Sequence, residues 1–218
     1  MTTDRIVVIN PNSTEEVTQG IDRALDPLRM AGGPELECVT LLEGPPGIES
    51  QADVESVVAP ICDLVRARDD DAAAFVIACY SDPGLQDARK TTRQPVFGIA
   101  ECAMLTALTK GARFGLISIL ESGLERHLRY VQRLGLAERF AGDVPVDLGV
   151  TELADESVAL GRMIACGERL RDDHGADVLI FGCAGMADYR GQVAESVGLP
   201  VVEPSQAAVT MAIGAVRC

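Results

Sequence analysis

Short runs of consecutive apolar residues, each closed by turn-forming residues, recur along the chain. Residues 6–10, 36–42, 75–79, 96–99, 114–119, 144–150, 178–183 and 201–203 read as buried strands, with helical patterns between them. Strands that are continuously apolar rather than alternating, and that are joined by helices, predict parallel sheet covered on both faces. The first four strands echo the last four. Arg5-Ile6-Val7-Val8-Ile9 matches Arg113-Phe114-Gly115-Leu116-Ile117 at an offset of 108. Phe75-Val76-Ile77-Ala78-Cys79 matches Leu179-Ile180-Phe181-Gly182-Cys183 at 104, and Pro95-Val96 matches Pro200-Val201 at 105. Three matches in one order at nearly one offset predict a duplicated α/β lobe.

In open α/β sheets, ligands bind beyond the carboxyl ends of the strands. Cys79 and Cys183 close equivalent third strands, so lobes packed face to face would bring the two thiols to one cleft. The other five cysteines, Cys38, Cys62, Cys102, Cys166 and Cys218, have no cysteine at the matching position and read as packing or surface residues. The segment after Cys79, Tyr80-Ser81-Asp82-Pro83, predicts a helix start capped by Ser81 or Asp82. Free N–H groups there would lower the thiol pKa. Gly182 and Gly185 flank Cys183 and Ala184 and permit close approach of backbone to a ligand.

The first strand exits into Asn10-Pro11-Asn12-Ser13, where Ser13 and Glu16 predict a capping box. Asn10, Asn12 and Ser13 there suit a carbonyl, carboxylate or imide oxygen. Ser118 holds the matching exit in the second half, and Ser122 with Glu125 repeats the box. The Gly- and Pro-rich loop at 43–50 either borders the cleft or is a plain connection. His127 reads as a helix-flank residue outside the site, and 69–71 as a solvated acidic run.

Composition narrows the function. The chain has 218 residues, and 33 acids against 19 bases give a net charge of −14, which repels a phosphate backbone. Aromatic residues make up 4% and Trp is absent, which disfavours a stacking platform for single strands. No apolar run approaches a membrane span and no signal peptide is visible, so a cytoplasmic protein without membrane partners is expected. Two distant histidines, with no CxxC or HExxH, provide no zinc set. No Walker loop and no GxGxxG occur.

The segments Ile9-Asn10-Pro11-Asn12-Ser13-Thr14, Gly44-Pro45 with Ile48-Glu49, Ala78-Cys79 with Asp82-Pro83-Gly84-Leu85, and Gly182-Cys183-Ala184-Gly185-Met186 together resemble the aspartate/glutamate/hydantoin racemase superfamily. The hydantoin and allantoin racemase branch is the most similar one. The resemblance implies two pseudo-symmetric lobes, each a four-stranded parallel sheet flanked by helices, with the active site between them. It implies lobes at 1–101 with 206–218 and at 102–205, the C-terminal helix returning to the first. It further implies a homo-oligomer that racemises a cyclic ureide without cofactor or metal. Cys79 and Cys183 would be the two bases. Asn10, Asn12, Ser13, Tyr80, Ser81, Ser118, Ala184 and Gly185 would hold the substrate, with N–H groups near Ser81 and Gly185 on the enolate oxygen. Tyr80-Ser81 and Pro46-Gly47 depart from the family pattern, which leaves the substrate side chain open. The alternatives are a maleate cis–trans isomerase, an amino-acid racemase, or a non-catalytic ligand-binding or thiol redox protein. An arylmalonate-type decarboxylase needs only the counterpart of Cys183, so Cys79 argues against it.

Overall fold

The protein is described from a computed structural model covering residues 4–218. Residues 1–3, part of the stretch read for a leader, lie outside the described residues. In the first half, β1 (Arg5–Asn10), β2 (Glu35–Thr40), β3 (Ala74–Ile77) and β4 (Val96–Gly98) form a parallel sheet in the order β2-β1-β3-β4. In the second, β5 (Phe114–Ser118), β6 (Phe140–Pro145), β7 (Val178–Phe181) and β8 (Val201–Val202) repeat that order as β6-β5-β7-β8. The helices are α1 (Glu15–Ala24), α2 (Gln51–Ser56), α3 (Val58–Ala67), α4 (Leu85–Thr91), α5 (Ile99–Ala107), α6 (Leu124–Arg133), α7 (Glu156–Asp172), α8 (Arg190–Val197) and α9 (Pro204–Arg217).

The sequence repeat and the sheet register coincide. Ile6 pairs with Ala74 and Phe114 pairs with Val178; Phe75 pairs with Val96 and Leu179 pairs with Val201. Those partners are separated by the same 108, 104 and 105 positions as the sequence matches. The two lobes therefore repeat in hydrogen bonding as well as in composition.

Each central strand buries both faces, as its unbroken apolar run requires. On β7, Leu179 and Phe181 face α7 and α8, while Val178 and Ile180 face α5. Each such fully buried side chain contributes about 1.5–3 kcal/mol of transfer free energy. The helices after β4 and β8 are exchanged between lobes. Ala100, Ala103, Met104 and Ala107 of α5 pack on Phe114, Leu116 and Val178 of the second sheet. Ala208, Val209 and Ala212 of α9 pack on Ile6, Val8 and Val76 of the first. Their small side chains let α5 and α9 also lie against each other.

Three sequence expectations change. The sixth strand is 140–145 rather than 144–150; it is an edge strand with only one buried residue, so Gly142 and Asp143 interrupt the apolar signal. Val146, Leu148 and Val150 are buried without being strand: they follow the edge, with Val146 and Leu148 packed into the core of the second sheet. Neither predicted capping box forms at its helix. Thr14 precedes α1 without a side-chain cap, and Ser13 instead donates its N–H to the Pro45 carbonyl, 3.0 Å. Ser122 donates its hydroxyl to the Glu49 carbonyl, 3.1 Å. Asp82 does not start α4: it sits at φ +44°, and Gly84 precedes the helix.

Candidate active site

The carboxyl ends of β1, β3, β5 and β7 converge on one small cavity, with about 40 Å³ open to the centres of water-sized molecules. Asn12 follows β1; Cys79, Tyr80 and Ser81 follow β3; Ile119 and Leu120 follow β5; Cys183 and Ala184 follow β7. Gly182 is needed here for close approach. A Cβ on it would stand 2.9 Å from both the Ile117 carbonyl oxygen and the Ser118 Cα.

The two cysteines have matching local geometry. The Ser81 N–H favours the Cys79 thiolate and the Gly185 N–H favours that of Cys183, the same two-residue spacing in each lobe. The same N–H groups are the ones expected from the sequence to meet an enolate oxygen. Burial nevertheless dominates, and it pushes Cys79 up to about 12 and Cys183 up to about 11. This reverses the expectation of a lowered pKa, because α4 begins at Leu85, too far from Cys79 for its N-terminus to act. Cys38, Cys102 and Cys166 are raised by burial as well. Cys79 and Cys183 differ from them in sharing a cavity.

Among the expected substrate-holding residues, Asn12, Tyr80, Ser81 and Ala184 line the cavity. Gly185 lies in the wall of an adjoining cavity of about 680 Å³, which shares Val17, Val150 and Ala184 with the first. Asn10 does not reach either. Its amide donates to Asn12 Oδ1 (3.0 Å) and Thr18 Oγ1 (2.9 Å), fixing the turn that carries Asn12. Ser13 is tied to Pro45 and is no wall residue. Ser118 is fully buried, its hydroxyl unpartnered and outside the cavity wall.

Three polar wall residues were missed. Glu49 brings the 43–50 loop to the cavity; its Oε1 accepts the Val150 N–H at 2.9 Å and so ties the two lobes. Arg126 of α6 donates from Nε to Ser81 Oγ at 3.1 Å, again across the lobes. His127 is a correction: it is buried, lines the cavity, and bonds through Nδ1 to Asp143 Oδ2 at 2.7 Å. Its ring meets Tyr80 edge-on at 5.7 Å. The available signal was the position of α6, directly after the cleft end of β5. Among the described residues, no group of three or more His, Cys, Asp or Glu is placed to hold a metal ion. No described helix is long and apolar enough to cross a membrane.

Residues 6–212 match the sequence profile of the Asp/Glu/Hydantoin racemase family. The chain is 32% identical over 212 residues to a hydantoin racemase of Paenarthrobacter aurescens, covering 95% of this chain and 89% of that protein. The structure superposes on an allantoin racemase from Klebsiella pneumoniae with a TM-score of 0.91 and 31% identity, covering 98% and 88% of the two chains. An allantoin racemase from Pseudomonas fluorescens gives 0.90 and 28%, covering 98% and 91%. With its duplicated parallel sheets and paired strand-end cysteines, the chain belongs to the Asp/Glu/Hydantoin racemase family and is an enzyme of that racemase class.

Proposed function

We propose that the protein racemises 5-substituted hydantoins or allantoin by two-base proton transfer, with Cys79 and Cys183 as the bases and no cofactor. The observation that carries this reading is the pair of thiols that follow equivalent strands, β3 and β7, and line one cavity. One sulfur, as thiolate, takes the proton from the carbon beside the ring carbonyl. The opposite thiol gives its proton to the other face, and the roles exchange for the other enantiomer. The ring stabilises the carbanion as an enolate, so the barrier is within reach of a thiolate whose pKa is tuned by its surroundings. Asn12 and Ser81 supply polar contacts to the ring, and the 5-substituent points toward the larger adjoining cavity. The similarity to hydantoin and allantoin racemases at about 30% identity supports the substrate class.

In this reading the lobes are 1–101 with 206–218 and 102–205, with α5 and α9 packed together at their seam. A cytoplasmic homo-oligomer remains part of the proposal, to be read by light scattering. The chemical test is circular dichroism of optically pure ureides with Cys79→Ser and Cys183→Ser variants. Racemisation collapses in both if the reading holds. Full racemisation by either variant, or turnover of maleate or free amino acids in place of ureides, overturns it.

A further inference from the structure

Arg126 has no counter-ion. Among the described residues, no carboxylate lies within ion-pair distance of its guanidinium, and its Nε hydrogen bond goes to a neutral hydroxyl. It is half-buried in the cavity wall, and burial pulls its pKa below the ordinary value. A cation held in such a place without an anion is costly. Its geometry shows what it faces. Nε donates to Ser81 Oγ, and Ser81 lines the same cavity two residues after Cys79, whose thiolate its N–H favours. Negative groups disfavour both thiolates, Glu49 and Glu203 that of Cys183 and Asp82 that of Cys79, but among the described residues only Cys79 has a cation, Arg126, acting against them.

We propose that Arg126 is the positioning residue of Cys79, a positive charge in the same cavity wall that partly opposes the effect of burial on that thiol, with Ser81 as the link between them. The guanidinium comes from α6 in the second half and the thiol from the loop after β3 in the first, so ionisation of Cys79 depends on the two lobes being together. The other groups acting on this pair are Cys183 and Asp82, which disfavour the Cys79 anion, and Arg129 and Asp53, which respectively disfavour and favour the Arg126 cation. Tyr80 and His127 complete the wall. The inference rests on the reading of Cys79 as one of the two bases.

The test is iodoacetamide labelling of the full-length, ligand-free enzyme from pH 6 to pH 10, with Cys79 and Cys183 resolved by peptide mass spectrometry. The variants are Arg126→Gln, Arg126→Met and Arg126→Lys, each checked for fold by circular dichroism. Removing an opposite charge raises a thiol pKa, here by about half a unit because Arg126 acts on Cys79 more weakly than burial does. Cys79 labelling in the Gln and Met variants therefore slows about threefold at a given pH below the midpoint. Cys183 labelling stays put, and Lys restores most of the loss. Racemisation shows a fall in kcat with little change in KM. An unchanged Cys79 profile, a parallel shift of both cysteines, or a raised KM with unmoved labelling each overturns the assignment. Because labelling needs no substrate, a wrong substrate class would show in the activity assay alone and leave the labelling result readable.

Discussion

Asp82 is the buried carboxylate whose replacement gives the sharpest stability test. Oδ1 accepts the Ala100 N–H and Oδ2 the Glu101 N–H, both at 2.9 Å, and the Tyr130 hydroxyl donates to Oδ2 at 2.6 Å. One side chain thus joins the loop after β3, the start of α5 and the middle of α6. Burial raises its pKa from 3.8 to about 6, and the three hydrogen bonds oppose that rise without cancelling it. The sign follows from linkage. The folded protein binds this proton more tightly than the unfolded chain, so the contribution is fully present below the unfolded value and is lost as pH rises through the folded one. The shift is about two units at about 1.4 kcal/mol each, so roughly 3 kcal/mol disappears between pH 4 and pH 7.

Asp82→Asn removes the titration. At neutral pH the amide oxygen accepts one N–H and the tyrosine hydroxyl can turn to accept from the amide; one buried N–H is left bare, at a cost of about 1–3 kcal/mol. Urea unfolding at both pH values, followed by circular dichroism, gives the difference between wild type and variant. That difference shrinks by roughly 3 kcal/mol from pH 4 to pH 7, an amount set by the pKa shift rather than by the variant's own hydrogen bonds. Comparison with the variant cancels the other carboxylates, including Glu203, whose pKa is also raised by burial. A difference independent of pH, or one that grows with pH, would refute the claim that burial outweighs hydrogen bonding at this carboxylate.

Two further outcomes are expected. Gly44→Ala places a Cβ 2.2 Å from the Pro11 carbonyl oxygen and 3.1 Å from the Asn12 Cα. The turn carrying Asn12 must shift, which costs about 1–3 kcal/mol in urea unfolding and raises KM; unaltered stability and KM would contradict the close approach. Since burial holds both cavity thiols above neutrality, the wild-type racemisation rate climbs with pH from 7 through 9. A rate already flat across that range would show that thiolate formation is not what limits it.

Much of the fold is legible in the chain because buried parallel strands are written as unbroken apolar runs, and the repeat offsets then predict even the register. The edge strand β6 is not, since Asp143 turns inward only because His127 meets it there. The same division holds at the site. Cys79 and Cys183 are legible because each has a counterpart at a strand end. Glu49, Arg126 and His127 act across the lobes, on partners remote in sequence. The offset that matches β1 with β5 puts Gln19 opposite His127, so the repeat carries no echo of it. Local patterns also misassign caps. Ser13 and Asp82 have cap chemistry, but the tertiary structure spends their polar atoms elsewhere.

The caps of α5 and α9 show how far the duplication runs. Glu203 caps its own helix: its carboxylate accepts the N–H groups of Ser205 and Gln206 at 3.0 and 2.6 Å. An offset of 105 places those N–H groups opposite Ala100 and Glu101, the two that Asp82 accepts, and places Glu203 opposite Gly98. The same pair of N–H groups is thus met by a carboxylate in both lobes, but from different positions in the chain. Gly98 is forced to be glycine because the Asp82 carboxylate fills the space: an added Cβ would lie 2.2 Å from its Cγ. Its backbone, at φ −102° and ψ 138°, accepts any residue. Removing one obstacle should therefore admit the other solution. Asp82→Ala and Gly98→Glu each destabilise, the first by stranding buried donors and the second by collision. The double variant returns the carboxylate to the helix start by the route the second lobe already uses. A double-mutant cycle in urea gives a favourable coupling of about 1–3 kcal/mol. If the two losses simply add, the lobes do not share one capping geometry, and the agreement of their N–H positions is coincidental.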